Sequence, residues 1–150
     1  MLGQEPIFTI QAELGPILEL GPTPYGQRRI IDILGGTVRG PRLQGKVLRG
    51  GADWQIIRTD GVADIQARYT IETATGGRIL VNSDGLRHGP PEVLAALARG
   101  EAVDPASYYF RTVMRFETSD PEADWLNRIL AIAKGRREAL AVHLDVFEVL

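Results

Sequence analysis

Apolar and polar residues alternate over much of the chain, and this period-two pattern predicts β-strands. From Ile7 to Leu14, apolar side chains occupy every second position, as they do in a strand with one buried face. Gly15-Pro16 is expected to break this strand, and Gly35-Gly36 is expected to turn a later one. Six further strands are predicted in the first half, over residues 17–20, 27–34, 43–49, 54–58, 63–73 and 79–81.

The second half adds two short helices to the strand pattern. Pro91–Arg99 is predicted to be helical, because proline suits a first helical turn and Gly100 suits the position after a helix end. Asp120 is a predicted N-cap, followed by Pro121, for a second helix that ends near Arg128. Strand patterns return over residues 108–118, 129–133 and 139–149.

Short strands at regular spacing, with turn signals between them, decide the predicted fold class. About ten strands and one or two short helices are typical of a β-sandwich or a closed barrel. A barrel is favoured, because so many short strands would otherwise leave edges to be covered. We therefore predict an all-β, mainly antiparallel protein in which residues 1–150 form one closed or nearly closed β-barrel domain. No internal repeat or linker divides the chain.

Composition narrows the classes of function. The 150 residues carry 17 basic and 19 acidic side chains, a formal net charge of −2, which argues against a nucleic-acid or anionic-membrane surface. The absence of cysteine excludes disulfides, thiolate catalysis and cysteine-ligated zinc. The N-terminus lacks a basic segment followed by an apolar one, and no apolar run is long enough to span a membrane. We expect a cytoplasmic protein.

Polar side chains on two predicted strands are the first candidates for chemistry. Tyr109, Arg111 and Glu117 share one strand face, and Arg68 lies on the polar face of an earlier strand. Two interpretations stay open. These residues either point outward and pair across strands, or line a polar lumen.

Asp53-Trp54 places a carboxylate beside a large aromatic side chain at the start of a predicted strand. Nearby arginines would keep such a carboxylate ionised as a base, whereas isolation against tryptophan would raise its pKa and suit an acid. The predicted catalytic residues are Asp53, Glu117, Arg68 and Arg111. The predicted ligand-binding residues are Trp54, Tyr109, Arg29 and Trp125.

Histidine, metal and phosphate chemistry have little support in the sequence. His88 falls in a predicted loop and His143 on the last strand, and structural roles are expected for both. No metal-ligand spacing is visible, and the glycine-rich segments match neither a phosphate loop nor a dinucleotide motif. We expect no metal and no cofactor.

The order of several short motifs resembles a known family, the largely bacterial proteins built on domain of unknown function (DUF) 3237. The matching motifs are Gly35-Gly36-Thr37, Gly40-Pro41-Arg42-Leu43, Gly45-Lys46-Val47, Gly50-Gly51-Ala52-Asp53-Trp54, Asp60-Gly61-Val62, Ala67-Arg68-Tyr69, Tyr108-Tyr109-Phe110-Arg111-Thr112, Arg115-Phe116-Glu117-Thr118 and Trp125-Leu126-Asn127-Arg128. The resemblance implies a calycin-like antiparallel barrel that assembles into small homo-oligomers. Some fungal members that the chain resembles are cofactor-free enzymes that close a ring by forming a C–O bond.

Two hypotheses follow for the function. The first is a cofactor-independent enzyme of cyclase, isomerase or lyase type, acting by proton transfer on a small, partly apolar metabolite in the barrel. The second is a non-catalytic small-molecule carrier or an oligomeric interaction module.

Overall fold

The computed structural model describes residues 1–150 and closes the strands into an antiparallel barrel. Its strands are β1 (Phe8–Thr23), β2 (Gly26–Arg39), β3 (Gly45–Val47), β4 (Gly51–Ile57), β5 (Ala63–Thr73), β6 (Arg78–His88), β7 (Tyr109–Thr118), β8 (Ala131–Arg137) and β9 (Ala141–Glu148). Pairing of β1 with both β2 and β9 closes the sheet. The short strand β3 and the longer β4 both lie between β2 and β5, so eight strand positions surround the lumen. The predicted closed all-β barrel is confirmed.

Two predicted strand breaks are wrong, because the strands continue through them. β1 passes through Gly15-Pro16 with register shifts, and from this point it no longer pairs with β9. A proline is tolerated there because that edge needs no further backbone donor. β2 passes through Gly36, whose φ is +145° and where a Cβ would lie 2.1 Å from the backbone oxygen of Gln11. Glycine at this position permits close strand approach rather than a turn.

The helical segments lie on connections between strands. Helix α1 (Pro91–Ala98) matches the predicted first helix. The second, Pro121–Arg128, ends where predicted but is a 3₁₀ helix, and Asp120 caps it by accepting a hydrogen bond of 3.0 Å from the Glu122 amide. A further 3₁₀ turn spans Pro105–Ser107. No helix is both long and apolar enough to cross a membrane.

The two ends of the barrel differ in packing. At one end, Phe8 and Phe116 meet edge to face with centroids 5.8 Å apart, and Leu126 of the 3₁₀ segment is completely buried against the core. At the other end, α1 buries none of its residues completely, and a recess beside it shares the lining residues Arg87 and Arg137 with a cavity in the lumen. The end that holds Phe8, Phe116 and Leu126, the packed end, is closed by core packing. The end beside α1, which we call the open end, is where functional groups can be reached.

Candidate functional site

An apolar cavity of about 50 Å³ lies inside the barrel, toward the open end. A wider recess of about 770 Å³ lies outside it, between α1 and the bend of β1. The side chains of Arg87 and Arg137 line both spaces, and we call this boundary the neck. The polar side chains that line the inner cavity are Asp53, Gln55, Tyr69, Ser83, Thr112, Arg87 and Arg137.

Asp53 is the acidic group of this cavity, and two hydrogen bonds fix its carboxylate. The Gln66 backbone amide donates to Oδ1 at 2.9 Å, and Gln55 Nε2 donates to Oδ2 at 2.8 Å. Burial raises the pKa of Asp53, and the hydrogen bonds from Gln66 and Gln55 and the charges of Arg87 and Arg29 only partly oppose this effect. Each carboxylate oxygen keeps a lone pair for a bound molecule.

Gln55 connects Asp53 to Arg29 on the neighbouring strand. Gln55 is 1% exposed, and its Oε1 accepts hydrogen bonds from Arg29 Nε at 3.1 Å and Nη2 at 2.7 Å. β2 and β4 bring the two residues together because Arg29 is the register partner of Gln55. Sequence reasoning missed Gln55, although its position two residues after Asp53 puts both on the same strand face.

Arg87 and Arg137, which sequence reasoning also missed, bring positive charge to the neck from the ends of β6 and β8. Burial, and then repulsion by Arg137 and Arg29, lower the pKa of Arg87 to about 10, against a weaker opposing effect of Asp53. Burial also lowers the pKa of Arg137, with repulsion from Arg29 the next cause. Arg87 lies over the ring of Phe110, with 5.6 Å to its centroid.

Tyr69 contributes an unpaired hydroxyl to the cavity. Its side chain is buried, and its hydroxyl oxygen has no hydrogen-bond partner in the protein. Burial raises the pKa of this phenol, so the group stays protonated and can donate. On the same cavity wall, Ser83 Oγ donates a hydrogen bond to Thr112 Oγ1 at 2.9 Å. Buried unpaired hydroxyls are uncommon, and this one belongs to a cavity-lining residue, which makes Tyr69 a candidate contact for a bound molecule.

The structure does not bring the remaining predicted site residues to the cavity. Arg68 and Trp54 border a shallow depression on the outer surface, with Trp54 40% exposed. On β7 the outward face holds Tyr109, Arg111 and Glu117, because Phe110, Thr112, Met114 and Phe116 of the same strand point inward. Of the predicted residues, Asp53 lines the inner cavity and Arg29 the outer recess, and Gln55 links the two by hydrogen bonds.

The outward aromatic side chains make local surface contacts instead. The Tyr109 ring stacks on His88 at 5.0 Å, with the Arg111 guanidinium 5.4 Å from it. Trp125, in the 3₁₀ segment at the packed end, lies beneath the Arg42 guanidinium at 3.9 Å. His143 Nε2 lies 3.0 Å from a Glu138 carboxylate oxygen. No group of three or more His, Cys, Asp or Glu side chains is arranged to hold a metal ion.

Comparisons with known proteins identify several relatives of this barrel. A UPF0311 protein from Rhodopseudomonas palustris is 45% identical over 144 residues, 96% of this chain and 94% of the relative. A crystal structure of a conserved protein of unknown function from that species has a TM-score of 0.93 at 44% identity, covering 100% of this chain and 98% of the other. A β-barrel-like protein from Acinetobacter baumannii has a TM-score of 0.85 at 43% identity, with coverages of 99% and 96%.

A more distant structure shares the fold alone. It is described as an enzyme from Penicillium herquei, with a TM-score of 0.69 at 21% identity over 97% of this chain and 94% of the other. The family model for the protein of unknown function DUF3237 matches residues 3–149. The chain therefore belongs to the DUF3237 family.

Proposed function

We propose that the barrel binds a small, partly apolar metabolite and that Asp53 exchanges a proton with it, without a cofactor. The observation that carries this proposal is the position of Asp53. Its carboxylate faces an apolar cavity next to the open recess, with both oxygens oriented by hydrogen bonds and a raised pKa. A carboxyl group whose pKa is moved toward neutrality can both take up and return a proton.

The proton step uses two groups of the cavity. Asp53 takes the proton from a carbon next to a substrate carbonyl, and the electron pair of that C–H bond moves to form an enolate. The Tyr69 hydroxyl donates a hydrogen bond to the enolate oxygen, where negative charge develops. Return of the proton from Asp53 to a different atom gives isomerisation. Gln55 and the Gln66 amide hold the carboxylate in one orientation through both transfers.

The relatives support this proposal only at the level of fold. A barrel of this shape in Penicillium herquei is described as an enzyme, so the fold is compatible with catalysis. Catalytic roles for Glu117, Arg68 and Arg111 stay predictions, and their outward placement makes Asp53 the residue to test first.

The test is solvent deuterium exchange followed by proton NMR. Wild-type protein in D₂O is incubated with a panel of short 2-oxo acids, 3-oxo acids and cyclic ketones. We expect faster loss of the α-proton signal for at least one compound, and a decrease of about 100-fold or more in Asp53→Asn, since general-base groups contribute on this scale. Asp84→Asn, an exposed carboxylate on the outer surface, is the matched control. Exchange that is unchanged in Asp53→Asn would remove Asp53 from the mechanism.

A second candidate function, assembly with a second copy of the chain, is favoured by the exposed end of β1. Residues 17–19 pair with β2 on one side, and β9 no longer pairs with them on the other. Leu18 on this segment and Leu20 beside it are 60% and 53% exposed. An unpaired apolar strand edge can pair with its own copy around a twofold axis. Light scattering of wild type and Leu18→Lys tests this, and a wild-type monomer at all concentrations contradicts it.

A further inference from the structure

We propose that the neck of the barrel is a carboxylate-binding site formed by Arg87 and Arg137 with Arg29 beside them, and that the metabolite is a small organic acid. That this acid is the molecule with which Asp53 exchanges a proton rests on the proposed function. The binding site itself depends on the arrangement of the arginines and can be tested separately.

The three arginines converge although they come from distant parts of the chain. Arg29, Arg87 and Arg137 all line the outer recess, and the last two also reach the inner cavity. A molecule that enters the cavity from the recess would cross the boundary that Arg87 and Arg137 line. A ligand of Asp53 therefore meets positive charge before it meets the base.

The negative charges of the protein do not neutralise the neck. No carboxylate oxygen lies within 4.0 Å of a guanidinium nitrogen of Arg87 or Arg137. Arg29 has Glu19 at 3.9 Å, but the Glu19 side chain is 53% exposed, so water screens this pair strongly. Asp53 faces the arginines, and its hydrogen bonds come from Gln55 and a backbone amide instead. The three arginines of the neck therefore have only two carboxylates near them, the inward Asp53 and the exposed Glu19.

The guanidinium groups also keep hydrogen-bond donors available. Arg137 is positioned by the backbone, because its Nη1 donates to the carbonyl oxygens of Glu138, Ala139 and Ala141. Its remaining nitrogens, and the whole guanidinium of Arg87, donate to no protein acceptor. A planar guanidinium with free donors fits the two oxygens of a carboxylate, and an anion would relieve the mutual repulsion of the arginines.

The volumes limit which acid fits. A buried site needs about 10–15 Å³ for each water-sized group, so a cavity of about 50 Å³ accepts roughly three to five non-hydrogen atoms. The recess outside it has apolar walls, including Leu94, Leu97 and Leu140. With its carboxylate at the neck, a short oxo acid can extend its carbonyl-bearing end toward the hydroxyl of Tyr69. The chemical class that we infer is a short-chain oxo acid.

Isothermal titration calorimetry with defined probes tests this inference. The probes are 2-oxobutyrate, acetoacetate and butyrate, with butyramide as the neutral analogue of butyrate and inorganic phosphate as a second anion. For wild type we expect the acids to bind at least tenfold more tightly than butyramide, with affinity that falls as salt increases. Tighter binding of phosphate than of every acid, or equal binding of butyrate and butyramide, overturns the proposal. So does the absence of binding by all three acids.

Variants separate this proposal from the proposed function. Arg87→Gln is expected to lose at least tenfold in acid affinity, whereas Arg115→Gln on the outer face of β7 keeps the wild-type affinity. Arg87→Lys keeps the charge without the planar fork, so it should bind acids with intermediate affinity, and it provides a test if Arg87→Gln does not fold. Unchanged acid affinity in Arg87→Gln or in Arg87→Lys refutes the carboxylate site.

Asp53→Asn gives the opposite pattern. It is expected to bind the acids at least as tightly as wild type, because a negative charge near the neck is removed, while proton exchange is lost. Retained exchange in this variant refutes the proposed function and leaves the carboxylate site standing. Weaker acid binding in Asp53→Asn than in Arg87→Gln would overturn the carboxylate site.

Discussion

Replacement of Arg87 by methionine is expected to stabilise the barrel in the absence of a ligand. Burial and the neighbouring arginines lower the pKa of Arg87 from 12.5 to about 10. The charged form is the disfavoured one, so the penalty applies at every pH below about 10 and disappears only as the pH rises above this value. At about 1.4 kcal/mol for each pKa unit, the charge opposes folding by about 3 kcal/mol at neutral pH.

Two effects make the expected rise in the free energy of unfolding of Arg87→Met smaller than this figure of about 3 kcal/mol. Partial exposure of Arg87 lets water screen part of the repulsion. The contact with Phe110 is also lost, and cation–π contacts contribute about 0.5–1 kcal/mol. Methionine keeps a long apolar side chain at the same place. We therefore expect the free energy of unfolding to rise by about 1–2 kcal/mol, or the melting temperature by about 2–8 °C for a domain of this size.

Urea unfolding at pH 7 in Tris chloride, followed by tryptophan fluorescence, measures the change. Arg115→Met on the outer surface is the control, and its stability should lie within about 0.5 kcal/mol of wild type. Addition of 2-oxobutyrate should raise the midpoint of wild type but not of Arg87→Met. If Arg87→Met is less stable than Arg115→Met by more than about 1 kcal/mol, Arg87 supports the fold and the reasoning is refuted.

Three further predictions address the cavity and the strands. Tyr69→Phe removes an unpaired hydroxyl, so thermal melts should show equal or higher stability, while calorimetry shows weaker binding of oxo acids than wild type. Because the pKa of Asp53 is raised, its ionisation destabilises the fold: urea titrations should show wild type losing stability relative to Asp53→Asn as the pH rises above about 4, and parallel curves would contradict this. Gly36→Ala should reduce stability by more than about 2 kcal/mol or prevent folding, because its Cβ would meet the Gln11 backbone oxygen at 2.1 Å. Gly50→Ala, with positive φ but open space, should cost only about 1 kcal/mol in the same assay.

The barrel could be predicted from local pattern, whereas the lengths of its strands could not. Alternation and turn signals are local properties, and they gave an all-β closed fold with α1 in the right place. The continuation of β1 through Gly15-Pro16 depends on which strands lie beside it, and the passage of β2 through Gly36 depends on the approach of Gln11. Such contacts join residues far apart in sequence, so no local signal marks them.

Underestimated strand lengths explain why Arg87 and Arg137 were missed. The strand predicted over residues 79–81 extends to His88 in the structure, and its inward positions continue to Arg87. The strand predicted to end at Ala133 extends to Arg137, which shares the inward face of Ala131 and Ala133. Arg29 could be found because it lies within a predicted strand, and Asp53 because it directly precedes one. Gln55 lies within a predicted strand as well, but nothing in the sequence marks its contact with Arg29.

The arrangement of the neck also connects substrate binding to the strength of the base. The charges of Arg87 and Arg29 lower the pKa of Asp53 and partly offset the effect of its burial. A carboxylate bound at the neck would neutralise these charges and exclude water, and both changes raise the pKa of Asp53 further. An acidic substrate would thus make Asp53 a stronger base only when bound beside it, and Asp53 would hold a proton less readily in the empty barrel. We therefore expect the pH at which exchange reaches half its maximum to be higher at saturating substrate than at low substrate concentration.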